Sequence, residues 1–262
     1  MPRLCCTRYE RLARQRGWQR IAGLDEVGRG SLFGPVVAAA VILNPRRRIV
    51  GLDDSKKLTV EYRKELAPRI REHSLAWAVA EIDASRIDAW NIYQASRQAM
   101  TAAFEALALS PDYLLIDAMY LDVCCEQQSL IHGDARSVSI AAASILAKVE
   151  RDHLMEEWDK VYPQYGLASH KGYSTPRHLE ALKSFGPTPQ HRHSFAPVRE
   201  AKCWATGATQ EPLPLAIAAP DGQSGFESGF DSDFDPEFEP ANCPGRPARA
   251  PIEGCPPAAG HP

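Results

Sequence analysis

The chain has 262 residues, enough for one large domain or two small ones, and 44% of them are hydrophobic, enough for a substantial core. Its net charge of −3 excludes a molecule that binds nucleic acid through charge spread evenly over the whole chain. No apolar run reaches membrane-spanning length, and Arg3 and Arg8 are not followed by the apolar stretch of a secretory signal, so a cytoplasmic protein is expected.

Residues 1–20 are rich in arginine and predict a short lead-in helix. Ile21–Val27 reads as a first strand, broken by Gly28-Arg29-Gly30, a turn where backbone can approach a ligand closely. Pro35–Leu43 is a continuous apolar run and predicts a buried second strand. Asn44-Pro45 and the Arg46–Arg48 cluster end it as a solvated loop. Thr59 is placed to cap the next helix, and Pro68 inside that helix should kink or divide it. Ser74–Asp83 predicts a third strand. Ser85 should cap one long helix through Leu109, with Ile87, Trp90, Ile92, Tyr93, Met100, Phe104 and Leu107 as its apolar stripe. Asp112–Asp117 predicts a fourth strand ending on a carboxylate, and a fifth is expected near Ser129–Ile131. Ser137 or Ser139 opens a helix to about Lys160. A helix from Thr175 to about Phe185, with Pro176 in its first turn, follows the loop SHKGYST. Three early strands and then helix–strand alternation indicate an α/β domain with a mixed sheet.

Beyond about Ala208 the composition shifts to Pro, Gly, Ala and acid. Residues 206–262 hold nine acidic and two basic residues, which leaves +4 on residues 1–205. This tail is expected to be disordered. Phe226, Phe230, Phe234 and Phe238 recur every four residues within it. That period suits a helical stripe formed on docking to a replication or repair protein, although Gly225, Gly229 and Pro236 oppose a helix in isolation. Of the seven cysteines, Cys5-Cys6 and Cys124-Cys125 are adjacent pairs and no C-x-x-C occurs, so reduced thiols and no zinc site are expected.

The chemistry-bearing residues fall at the ends of elements. Asp25 and Glu26 close the first strand, Asp117 closes the fourth, and Asp152 lies in the helix after Ser139. Strand ends are where ligands bind in α/β sheets. Ser144, Lys148 and Asp152 are spaced i, i+4, i+8 and line one helix face. Carboxylates beside a glycine turn suggest a hard-cation site that meets phosphate. Neighbouring residues on a regular strand point to opposite faces, so Asp25 and Glu26 reach one region only if the strand ends or bulges there.

The segments IAGLDEVGRGSLFGPVVAAAVIL, DDSKKLT, YLLID, GDARSVSIAAASILAKVERD and HKGYSTPRHLEALKSFGPTPQHRHSFAPV resemble ribonuclease HII over about residues 20–200. The resemblance implies a ribonuclease H-like α/β fold: a mixed five-stranded sheet flanked by helices, with a helical C-terminal portion. The implied catalytic domain is 21–200. Asp25, Glu26, Asp117 and Asp152 match the family's four metal-holding catalytic acids, implying Mg²⁺ or Mn²⁺. Gly28, Arg29 and Gly30 match the turn that reads a ribose 2′-hydroxyl, and Tyr173 the tyrosine that stacks on the following sugar. Lys56 or Lys57, Ser144 and Lys148 are implied phosphate contacts. His132, His170, His191 and His193 are read as loop structure or backbone contacts, since these cations prefer oxygen. The implied substrates are RNA–DNA hybrid and duplex DNA containing ribonucleotides, cut 5′ of the ribonucleotide to leave a 3′-hydroxyl and a 5′-phosphate. A hybrid-binding protein that no longer cuts is the alternative, and the intact four acids oppose it. Ribonuclease HIII is opposed by the shortness of residues 1–20. Three positions depart from the family's habit: Ala118 where glycine is usual, Ser31 where proline is common, and His132 where lysine is common.

Overall fold

A computed structural model of the chain describes residues 5–201. The acidic tail, with its expected disorder and Phe repeat, lies outside them. Helix α1 (Arg8–Gln15) leads into β1 (Ile21–Val27), which pairs with β2 (Val36–Leu43). Then come α2 (Val60–His73), β3 (Ser74–Ile82), α3 (Ala84–Trp90) and α4 (Ile92–Glu105). Strands β4 (Tyr113–Asp117) and β5 (Glu126–Leu130) precede the long α5 (Val138–Val161). Three short helices, α6 (Leu167–His170), α7 (Pro176–Phe185) and α8 (Ala196–Glu200), complete the described chain.

The sheet order is β3-β2-β1-β4-β5. Its first three strands are antiparallel neighbours, while β1–β4 and β4–β5 are parallel. The run VVAAAVIL explains the position of β2: seven of its eight residues are buried, as an inner strand covered on both faces requires. One face packs Ala22, Leu24, Ile116 and Met100 into a core shared with α3 and α4. The other packs Val37, Ala39 and Val41 against Leu66, Ile70 and the alanine-rich start of α5. Gly23 allows that close approach, since a Cβ there would overlap the Ser139 backbone. A separate aromatic core, built on Phe33, Trp158, Tyr162 and Tyr165, holds the C-terminal helices to α5.

Three local expectations are corrected. The single helix after the third strand is two: Asp83 caps the first, and Asn91, at φ 75°, ends it and caps the second through Gln94 N. The proposed stripe breaks with it, leaving Trp90 and Tyr93 exposed. Pro68 does not divide α2, which is one helix capped by Thr59. Strand β5 starts earlier than expected, at Glu126, as a polar edge strand. Among the described cysteines, Cys5, Cys6 and Cys125 are free thiols.

Candidate active site

Strands β1 and β4 run parallel in the register Gly23↔Leu115 and Leu24↔Ile116, so Asp25 and Asp117 come next, side by side. Both lie two residues beyond Gly23 and Leu115, which face α5, and so share that face of the sheet. Asp25 is almost fully buried, and the Glu26 amide donates to its Oδ1 at 2.8 Å. Asp117 Oδ1 accepts from the Gly133 amide at 2.7 Å, at the short 3₁₀ turn that leads into α5. Strand β1 continues through Glu26 to Val27, paired regularly with β2 and without a bulge. Glu26 therefore leaves from the other face, where Arg29 Nη1 meets its Oε1 at 3.2 Å. Its second oxygen, Oε2, is buried and has no hydrogen-bond partner.

These acids resist ionisation together. Burial raises the Asp25 carboxyl well above its ordinary range, Glu26 and Asp117 raise it further, and the Ser144 hydroxyl opposes them. Burial also raises Glu26, with Arg29 opposing and Asp117 adding. Asp117 is raised by burial, against the Gly133 amide and with help from Asp134. Desolvation and like charge act in the same direction at all three.

Asp152 is held differently. Lys148 Nζ reaches its Oδ1 at 2.6 Å and Arg63 Nη2 its Oδ2 at 3.6 Å, both from nearly buried surroundings. Among the described residues no three His, Cys, Asp or Glu groups stand in ready ligand geometry for a metal ion. The structure thus brings Asp25, Glu26 and Asp117 into electrostatic reach of one another and leaves Asp152 engaged by two cations.

The remaining candidates are also engaged. Ser144 Oγ shares a hydrogen bond with Ser55 Oγ at 2.9 Å. Lys56 Nζ lies 3.3 Å from Asp134 Oδ2, and Lys57 Nζ lies 3.2 Å from Asp53 Oδ1. Burial works to lower the Lys56 ammonium, but the Asp134 carboxylate outweighs it and leaves the group raised. Gly28 sits at φ 93°, where Arg151 fills the space a side chain would need, whereas a Cβ at Gly30 would enter open space. Gly30 is therefore not demanded by packing, which leaves its backbone open to a ligand. Tyr173 is exposed, with its ring over Arg151, and pairs with Ser31 in an isolated bridge.

Sequence reasoning missed Asp134, a buried acid acting on both Asp25 and Asp117. The signal was its place in GDARS, three residues before the N-cap Ser137. It also missed Arg63, whose Nη1 donates to the carbonyls of Ser55 and Leu58. Ala118 sits at φ 50°, the left-handed region that favours glycine. His170 and His191 do make backbone contacts: His170 Nε2 meets Tyr165 O at 2.7 Å, and His191 Nδ1 accepts from Thr188 N at 2.9 Å.

A mixed sheet with carboxylates at the ends of neighbouring parallel strands, crossed by a helix carrying another acid, is the plan of a ribonuclease H-type nuclease. Solved structures bear the fold out. A ribonuclease H2 from Pyrococcus horikoshii OT3 matches with a TM-score of 0.62 at 25% identity, covering 70% of this chain and 97% of that one. The ribonuclease HII of Archaeoglobus fulgidus, solved in complex with PCNA, matches with a TM-score of 0.57 at 28% identity, over 66% and 91% of the two chains. The chain belongs to the ribonuclease HII family, whose family model matches residues 22–198. The ribonuclease HII of Koribacter versatilis is 59% identical over 213 residues, covering 81% of this chain and 82% of its own. Family membership makes the protein a type II ribonuclease H, an endoribonuclease acting on RNA–DNA. No helix among the described residues is long and apolar enough to cross a membrane.

Proposed function

We propose that the protein is a metal-dependent endoribonuclease. It cuts the RNA strand of RNA–DNA hybrids, and duplex DNA on the 5′ side of a misincorporated ribonucleotide, leaving a 3′-hydroxyl and a 5′-phosphate. The observation that carries the reading is the crowding of Asp25, Glu26 and Asp117, with the buried Glu26 Oε2 lacking any partner. Clustered hard oxygens held against their own repulsion fit Mg²⁺ or Mn²⁺. Asp25, Glu26, Asp117 and Asp152 are the residues we assign to hold it, with Lys148 and Arg63 yielding Asp152 and Glu26 turning round the end of β1, which stops one residue later at Val27. A divalent cation in such a site activates water and stabilises a leaving oxygen.

The chain's own groups supply the rest. The Gly28–Gly30 backbone lies close to the ribose and reads its 2′-hydroxyl, the local mark that separates RNA from DNA. Tyr173 stacks on the next sugar. Lys56, Lys57, Ser144 and Lys148 exchange their present partners for backbone phosphates. We place the protein in the cytoplasm, and we propose that residues 206–262 dock on a replication or repair protein. The PCNA complex of the Archaeoglobus relative supports such a partner. A pull-down with and without that segment checks the last point, and identical partners would end it.

The functional test is incubation of a DNA duplex carrying one ribonucleotide with the chain and Mg²⁺ or Mn²⁺. Cleavage 5′ of the ribonucleotide is expected, and its loss in Asp25→Asn and Asp117→Asn. Binding without cleavage by the unaltered chain would contradict the reading.

A further inference from the structure

Arg151 and Arg192 are the two largest side chains that are fully buried, and neither lies within ion-pair distance of a carboxylate among the described residues. Burying an unpaired guanidinium is costly, so its hydrogen bonds must hold something in place. Arg151, on α5, donates through Nη1 to Lys171 O at 2.9 Å and through Nη2 to Ser31 Oγ at 2.7 Å and Phe33 O at 3.1 Å. Its Nε donates to Pro35 O at 3.2 Å, and its Cζ lies 5.6 Å from the centre of the Tyr173 ring. The same side chain fills the space beside Gly28. Arg192 donates through Nη1 to Arg29 O at 2.8 Å and through Nε to Gly34 O at 3.0 Å, while its Nη2 is a buried donor without a partner.

Three segments from distant parts of the chain meet on these two groups. Leu32 N donates to Gly172 O, Arg192 N to Leu32 O, and Gly34 N to Gln190 O, each at 2.8–2.9 Å. The connections therefore run from the Gly28–Gly30 turn through residues 31–34 to the Lys171–Tyr173 loop and to residues 190–192. These segments sit in no sheet or helix of their own, so side-chain donors must replace ladder bonds as the source of rigidity. Ser31 is part of the arrangement: its Oγ donates to Phe33 O at 2.9 Å while accepting from Arg151.

We propose that Arg151 and Arg192 are positioning residues that lock the Gly28–Gly30 turn and the Lys171–Tyr173 loop into one rigid surface with a fixed spacing between its ribose-reading and sugar-stacking parts. The inference rests on the assignment of those parts given under Proposed function. Neither arginine touches substrate; each acts through backbone carbonyls, and Arg151 also through the underside of the Tyr173 ring. A lysine at either place keeps the charge but loses the planar fork that reaches several carbonyls at once.

The test is a double-mutant cycle on the full-length chain with a DNA duplex carrying one ribonucleotide. Arg151→Lys is expected to lower kcat/KM about 30-fold in the unaltered background but less than about 3-fold in Tyr173→Ala, because the spacing the arginine fixes matters only while the stacking ring is present. Backbone amide exchange gives a readout independent of cleavage. It should quicken by at least about tenfold at residues 28–34 and 171–173 in Arg151→Lys, while amides of β1 and β4 keep their protection. Equal losses in both backgrounds, or unchanged exchange at those loops, would overturn the proposal. Should Arg151→Lys fail to fold, Arg192→Lys takes its place with the same expected exchange pattern and the same contrary result. Failure of the unaltered chain to cut the duplex would remove the functional reading and leave amide exchange to decide the positioning role.

Discussion

Two buried polar clusters lie on either side of the Gly28–Gly34 segment, and they are built on opposite principles. Around Asp25, Glu26 and Asp117, like charges crowd together and one carboxylate oxygen has no partner. Around His178 and His191, every ring nitrogen is used. Thr188 N donates to His191 Nδ1 at 2.9 Å, which assigns the His191 proton to Nε2. That nitrogen donates to His178 Nε2 at 3.2 Å, and His178 Nδ1 then donates to Tyr173 O at 3.0 Å. Phe33 and Tyr165 pack against His191 with ring centres 4.9 Å away. Burial pushes His178 down to about 4 and His191 to about 2, so the relay is neutral. The second cluster is a finished piece of structure. The first keeps a buried oxygen that no donor meets, despite Arg29 on Glu26 and the Gly133 amide on Asp117.

The largest contrast is in activity. Asp25→Asn should lower cleavage by about a thousandfold or more, as loss of a group central to metal-assisted hydrolysis does. Steady-state cleavage of the one-ribonucleotide duplex checks this, and a loss under about tenfold would place Asp25 outside the chemistry. His191→Ala should act through stability instead. It strands the Thr188 amide and opens a cavity beneath Phe33, for a cost of about 3 kcal/mol. Urea denaturation measures it, and a cost below about 1 kcal/mol would mean the relay is not structural.

The clusters should also respond to pH in opposite senses. The acids are raised in the folded state, so the folded chain binds their protons more tightly. Without metal, their contribution to stability is lost as pH rises above about 4, the ordinary carboxylate range, through their raised values. The histidines are lowered, so the unfolded chain takes up protons first. Their contribution is present above about pH 6.5 and is lost as pH falls towards the folded values. Denaturation series in chelator should therefore show Asp25→Asn gaining on the unaltered chain as pH rises, and His178→Gln losing its disadvantage as pH falls. Parallel curves for all three chains would refute the contrast.

The smallest effect lies beside the acids. Ala118, at φ 50°, carries the strain of the left-handed region. Ala118→Gly should stabilise the fold by about 0.5–1 kcal/mol, the relief of that strain less the entropy glycine brings. A destabilised Ala118→Gly chain would show that the strain is not what the residue contributes.

Most of the sheet was legible because its inner strands are nearly continuous apolar runs: β1 matches its expected bounds and β2 differs by one residue. The edge strand β5, EQQSL, carries no such pattern, and only its pairing with β4 reveals where it begins. Asn91 was missed because its effect depends on a positive φ that a helical apolar stripe does not betray. The acids at strand ends could be named from sequence, since chemistry and position coincide there. Their partners could not. The hold of Lys148 on Asp152 follows from i, i+4 spacing, but that of Arg63, on another helix, needs the packing of α2 on α5. Nothing in a sequence marks an arginine as fully buried, so Arg151 and Arg192 were invisible until the loops they tie were in place.

The most direct measurement is the melting temperature of the full chain and of Asp25→Asn at about pH 8, in chelator and then with Mn²⁺ added. In chelator the Asp25→Asn chain is expected to melt a few degrees higher, about 1 kcal/mol of relieved repulsion. Mn²⁺ should raise the melting temperature of the unaltered chain and leave the substituted one nearly unchanged. A lower melting temperature for Asp25→Asn in chelator, with equal gains from Mn²⁺ in both chains, would contradict a carboxylate cluster held in wait for a cation.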